Sequence, residues 1–319
     1  MKDRQQPIKA LQAASTPIPN RDDLMPDALR KGVHHALLEL LEAGQRININ
    51  KNVALLQSLR QAALRLQVLL KRVRDEMPAK TYKRARKRLR SLLSQLERID
   101  NIDRVMRDLL MQGEGSANRM AIAGIIAQLD AQRLQTKQSL QHFLESKKYR
   151  KFAREIREFA LADDDKSASV GDPTKPHLVR HVLPYRLQKR MMQTLAYDTL
   201  LGTPEPDWLS GLEKRTHQLR ALLEAFQPVL GTSAAQCVDH VARLQTDIEQ
   251  VTARERMLTF VIHLPQTQMN GEQRDALRSY RKQLQAQRDQ AYKDFGSDWE
   301  RFRRRQVLEA FYRALLVLR

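Results

Sequence analysis

The segment Asn52–Val73, NVALLQSLRQAALRLQVLLKRV, decides the fold class. Leu56, Leu59, Ala63, Leu66, Leu70 and Val73 recur at a helical period, so they share one apolar face. Such a face needs apolar surface to cover it. Working outward, an upstream stripe of Leu24, Ala28, Val33, Leu37, Leu40 and Leu41 supplies one candidate, with Gly44 placed as a helix C-terminal glycine. Downstream, Met77-Pro78 stops the helix, because a residue before proline is pushed out of the helical region. A third helix is expected from about Lys80, carrying Leu89, Leu92, Leu93, Leu96 and Ile99. A short fourth follows from about Ile102, with Val105, Met106, Leu109 and Leu110, and Gly113 and Gly115 break it. A long fifth helical region runs from Asn118 to Ala162.

The stretch Asp163–His177, DDDKSASVGDPTKPH, has no periodicity and reads as a linker. Beyond it the pattern returns. Leu56, Leu59, Leu66, Leu69 and Leu70 match Leu209, Leu212, Leu219, Leu222 and Leu223 at an offset of 153. The order of elements repeats as well, with a break at Gly231 and a final long helix from about Glu272. The expectation is a duplicated helical unit. A flexible tail covers residues 1–23, a first half 24–162, a linker 163–177 and a second half 178–319.

Composition agrees. Only 11 of 319 residues are glycine and 5% are aromatic, while leucine, alanine, glutamine and arginine abound. A β-fold would need more turn residues and branched strands. The chain carries 56 basic against 37 acidic residues, a formal charge of +19, with 38 arginines to 18 lysines. That excess calls for a polyanionic partner, and the guanidinium fork suits phosphate oxygens. Cys237 is the only cysteine, which excludes an intrachain disulfide and fits a reducing compartment. No apolar run is long enough to span a membrane and no signal segment is visible, so a cytoplasmic protein is expected.

Three basic runs stand out: Lys80–Arg90, Lys147–Arg157 and Arg301–Arg305. In the first, Lys83, Lys87 and Arg90 fall on one helical face with no acid to pair them. Few aromatics are interleaved, so no base-stacking platform is evident. His177 and His181 have the spacing of two metal ligands but lack a third, and no metal or other cofactor is expected. Asp100 and Asp103 are read as flanking a helix start. Glycine-rich phosphate loops, GxSxG strings and paired cysteines are missing, so a non-catalytic protein is expected.

The ordered strings resemble the CHAD family, the conserved histidine α-helical domain. Leu56-Gln57-Ser58-Leu59-Arg60 with Arg65-Leu66 is similar to the family's V-H-x-[LM]-R-V-x-x-R-R-L-R. Leu89-Arg90-Ser91-Leu92 through Asn101-Ile102-Asp103 is similar to L-R-x-L-x-x-x-L-G-x-x-R-D-L-D-V. Leu209 to Phe226 resembles the second-repeat helix, and Leu244-Gln245 its L-Q-D. The resemblance implies an all-α fold of two pseudo-symmetric four-helix units around a basic central channel. It also implies binding of inorganic polyphosphate and association with polyphosphate granules. The site residues it points to are Arg60, Arg65, Lys83, Lys87, Arg90, Lys214, His217 and Arg220. Both namesake histidines are replaced, by Gln57 and Ser210, and Glu213 inverts a charge. Nucleic-acid binding through the same charge, or a scaffold with a degenerate channel, are the competing functions.

Overall fold

A computed structural model describes residues 17–46, 53–113, 118–162, 177–201 and 207–318. Most of the expected tail and all of the expected linker but His177 lie outside these residues. The described residues form an all-α fold. Their helices are α1 (Met25–Arg46), α2 (Val53–Arg72), α3 (Ala79–Gly113), α4 (Arg119–Glu145), α5 (Lys147–Ala160), α6 (Val179–Leu195), α7 (Asp207–Ala225), α8 (Gln227–Leu230), α9 (Ser233–Ile262), α10 (Gly271–Arg303) and α11 (Arg305–Leu316). The only β feature among them is an isolated bridge, Leu24 to Leu178.

Helix α1 packs along α2, α3 along α4, and α5 folds back over α1. In the second half α6 packs on α7, α9 along α10, and α11 returns over α9. The halves meet where α2 lies on α7 and where α9 crosses α3. Leu59, Leu66 and Leu70 of α2 and Leu212, Leu219 and Leu223 of α7, all at most 2% exposed, share one core. A separate smaller core joins the far ends of the two long hairpins, with Val105, Leu109, Ile125, Val261, Leu277 and Tyr280. Near its chain start α10 is set by a capping box, Asn270 with Gln273. Farther along, Trp299 Nε1 donates to Asp198 Oδ1 at 3.0 Å and fixes the turn Ala196–Leu200. Gly231, at φ 71, makes the left-handed turn that ends α8, as its place in the sequence suggests.

Four expectations need correction. Helix α1 does not end at Gly44; it runs to Arg46, and the glycine instead faces Tyr149 of α5, whose hydroxyl would lie 3.7 Å from an added Cβ. The expected third and fourth helices are one, α3, because Leu89, Leu92, Leu96, Ile99, Ile102, Val105 and Leu109 keep an unbroken buried register. Asp100 and Asp103 therefore sit mid-helix and flank no start. Conversely, the long fifth region is two helices. Ser146 turns extended at ψ 149°, and its side chain accepts from Tyr149 N to cap α5. Nor is all of residues 1–23 a free tail. The carbonyl of Asp23 accepts from Val179 N at 3.0 Å, and Met25 N donates to the His177 carbonyl at 2.8 Å, tying this segment to the start of α6.

Candidate functional site

The α2–α7 contact concentrates polar groups. Gln57 Nε2 donates to Asp100 Oδ1 at 3.1 Å. Arg60 Nη1 lies 2.9 Å from Glu249 Oε1 and 3.9 Å from Asp100. Arg104 closes the ring, at 3.0 Å from Asp100 and 3.1 Å from Glu249. Arg65 bridges Glu39 and Glu224, the latter at 2.6 Å. Arg220 also pairs with Glu224 at 2.8 Å and donates to Gln245 at 2.9 Å, and Gln245 donates on to His217 Nδ1 at 3.0 Å. Arg256 meets Glu213 at 3.2 Å. Arg60, Arg65, Arg104, Arg220 and Arg256 are thus matched by Glu39, Asp100, Glu213, Glu224 and Glu249. Burial works to raise the Glu249 carboxyl, but Arg60 and Arg104 outweigh it and hold it below its usual range. Burial likewise lowers the His217 pKa, with Arg60 and Arg220 adding to it against Glu213. Each arginine here already has a carboxylate where a ligand phosphate would sit.

Two helical turns beyond Arg65 on α2 the balance is lost. Arg72 ends α2, Arg186 and Arg190 lie on α6, and Arg215 on α7; all four are half-buried. Lys71 and Lys214 stand exposed above them. Among the described residues Lys71, Arg72, Arg186 and Lys214 form no ion pair or side-chain hydrogen bond, and the Arg72 Nε is buried with no partner. Arg190 and Arg215 converge on one neutral acceptor, Gln193 Oε1, at 2.6 and 3.5 Å. The carboxylate nearest in effect is Glu76, beside Arg186. Burial, and then Arg190, Arg186 and Arg215, push the Arg72 pKa down to about 10. Burial and then Lys214, Arg72, Arg190 and Arg86 lower that of Lys71. Cations forced together without counter-ions make a pocket of positive potential that an anion would relieve.

The residues expected as a site therefore separate. Arg60, Arg65, His217 and Arg220 lie in the charge-matched network. Lys214 belongs to the basic cluster of α2, α6 and α7. Lys83, Lys87 and Arg90 are exposed on the outer face of α3. Arg72, Arg186, Arg190 and Arg215 do not stand out in the sequence. The signals for them are the Lys71-Arg72 and Lys214-Arg215 doublets and the i, i+4 spacing of Arg186 and Arg190. Of the basic runs, Arg301, Arg303 and Arg305 are taken up by Asp298, Asp198 and Glu309, at 2.5, 2.9 and 2.6 Å.

The family model of the CHAD domain matches residues 27–256. The chain belongs to the CHAD domain family. A solved CHAD domain from the plant Ricinus communis is similar in fold, with a TM-score of 0.70 at 14% identity, over 89% of this chain and 93% of that one. PptA from Streptomyces chartreusis is similar at a TM-score of 0.57 and 15% identity, over 87% of this chain and all of that one. The comparison with curated proteins gave no match. In the CHAD string that aligns with Leu89–Asp103, Asp100 stands at an arginine, and Glu213 stands in the second repeat's basic line. Those two acids, with Glu249 from α9, neutralise Arg60 and Arg256 in the central network.

Proposed function

We propose that this CHAD protein is a non-catalytic binder of inorganic polyphosphate, and that the chain of phosphates is gripped by the basic cleft between α2, α6 and α7. One observation carries the reading: Arg72, Arg186, Arg190 and Arg215, with Lys71 and Lys214, converge without a paired carboxylate. Four of the six cations are half-buried. A narrow anionic chain reaches such cations more readily than a wide duplex does. The guanidinium forks suit tetrahedral phosphate oxygens. The polyphosphate binding and granule association implied by the family resemblance agree with this reading, and no helix of the described residues is long and apolar enough to cross a membrane.

The test is a titration at fixed salt with long-chain polyphosphate, with duplex DNA as competitor. Arg72→Gln together with Arg190→Gln is expected to weaken polyphosphate binding by at least about tenfold, since each neutralised phosphate adds to affinity as well as to the salt slope. Lys282→Gln on the exposed face of α10 removes a charge elsewhere and is expected to leave binding unchanged. Equal effects of the two variants, or displacement of polyphosphate by DNA at matched charge, would refute the cleft.

A further inference from the structure

The cleft does not end at its rim. Arg86 on α3 is near enough to act on Lys71. Arg74 places its guanidinium 5.9 Å above the Tyr82 ring, holding the turn that follows α2 against the start of α3. At about 100° per residue, Arg86, Arg90, Lys83, Lys87 and Lys80 cover about 120° of the outer face of α3 without a gap. All five are exposed, and none has an ion pair or side-chain hydrogen bond among the described residues. On the far flank of this arc Arg84 pairs with Glu155 of α5 at 2.9 Å. Lys148 and Lys151 share that side of α5, two turns and one turn before Glu155, and are exposed and unpaired in the same sense. Beneath them Tyr149, Phe152, Ile156 and Ala160 are buried, so α5 is a fixed support and not a loose tail.

We infer that the basic cleft is the anchored end of a longer track, which carries one polyphosphate chain from Arg72 over Arg86 and the outer face of α3 onto Lys148 and Lys151 of α5. The inference rests on the function proposed above and adds a direction and a length to it. With neighbouring helix axes roughly 8–10 Å apart, crossing from α7 over α2 and α3 to α5 spans about 25–30 Å. A ligand of a few phosphates would fill the cleft alone. A long chain would also reach the cations of α3 and α5, so affinity and salt slope should rise with chain length and level off once the track is filled.

The experiment compares tripolyphosphate with long-chain polyphosphate on the full chain and two double variants, with matched helical circular dichroism as the check on folding. Lys148→Glu with Lys151→Glu is expected to weaken long-chain binding about tenfold or more and flatten its salt slope, by roughly 0.7 for each phosphate no longer neutralised, while tripolyphosphate binds as before. Arg190→Gln with Lys214→Gln is expected to weaken both ligands. Long-chain binding untouched by the α5 pair but abolished by the cleft pair would overturn the track and leave the cleft standing. No effect of the cleft pair on either ligand would overturn the function itself. Duplex DNA outcompeting the long chain in the wild type, with that advantage absent from the α5 pair, would assign the α3–α5 face to nucleic acid and overturn the track.

Discussion

At Arg60 the sequence names the residue and conceals its role. A basic side chain on the polar flank of α2 suggests a ligand contact, yet its partner is Glu249, 189 residues away on a helix of the other half. Pairing at that separation leaves no local trace in a sequence. The Arg60 and Glu249 side chains are 11% and 27% exposed, so their hydrogen bonds form where water competes poorly. Glu249→Gln removes the charge opposite both Arg60 and Arg104 and is expected to destabilise the fold by about 1–3 kcal/mol, read as a lower denaturation midpoint at unchanged slope. The Glu39 carboxyl is likewise held low against its burial by His35 and Arg65. A carboxyl whose folded pKa is depressed stabilises above the unfolded value and loses that contribution as pH falls through the folded one. Stability should therefore fall below about pH 4.5, and Glu249→Gln should shallow that limb.

His34 is the opposite residue-scale case. It is fully buried in α1 and neither ring nitrogen has a hydrogen-bond partner. Burial, then Arg157 and His35, lower its pKa. Below about pH 6.5 the unfolded chain takes up a proton that the folded chain resists, so stability declines as pH drops from there toward the folded pKa. His217 shifts in the same direction. His34→Leu is expected to keep or raise stability at neutral pH and to reduce the slope below about pH 6.5, measured by thermal unfolding across buffers.

Among the elements, legibility follows the register of buried side chains. The stripe of α2 is readable because Leu59, Leu66 and Leu70 are all in the core, and that of α7 for the same reason. Helix α3 invites division because Asp100 and Asp103 suggest a start. In the structure they are spent sideways, Asp100 on Arg60 and Arg104, and Asp103 on Arg133 at 2.5 Å. The break before α5 is hidden for the converse reason: one serine among charged residues looks like helix surface. Its cap is a single bond, Tyr149 N to Ser146 Oγ at 3.1 Å. Ser146→Ala is expected to cost about 1 kcal/mol in stability, and Ser146→Asp to retain most of it, since aspartate caps as well and favours the positive helix end; chemical denaturation of the two variants side by side checks both.

Over the whole molecule, net charge and site charge differ. The +19 of the chain points to a polyanion, but the two halves meet through a charge-matched network, and the uncompensated cations lie to one side of it, on α2, α6, α7, α3 and α5. Total charge cannot report this division, because it depends on which acids fold against which bases. The division makes salt dependence informative. With about six phosphates neutralised at about −0.7 in slope for each, polyphosphate affinity should fall by roughly two to three decades between about 50 and 200 mM salt. The central pairs are partly buried and screened less than exposed ones. Thermal stability should accordingly change little over the same range in which binding collapses. A fall in stability parallel to that in affinity would mean that the central network, and not the lateral cleft, is the salt-sensitive element that the ligand engages.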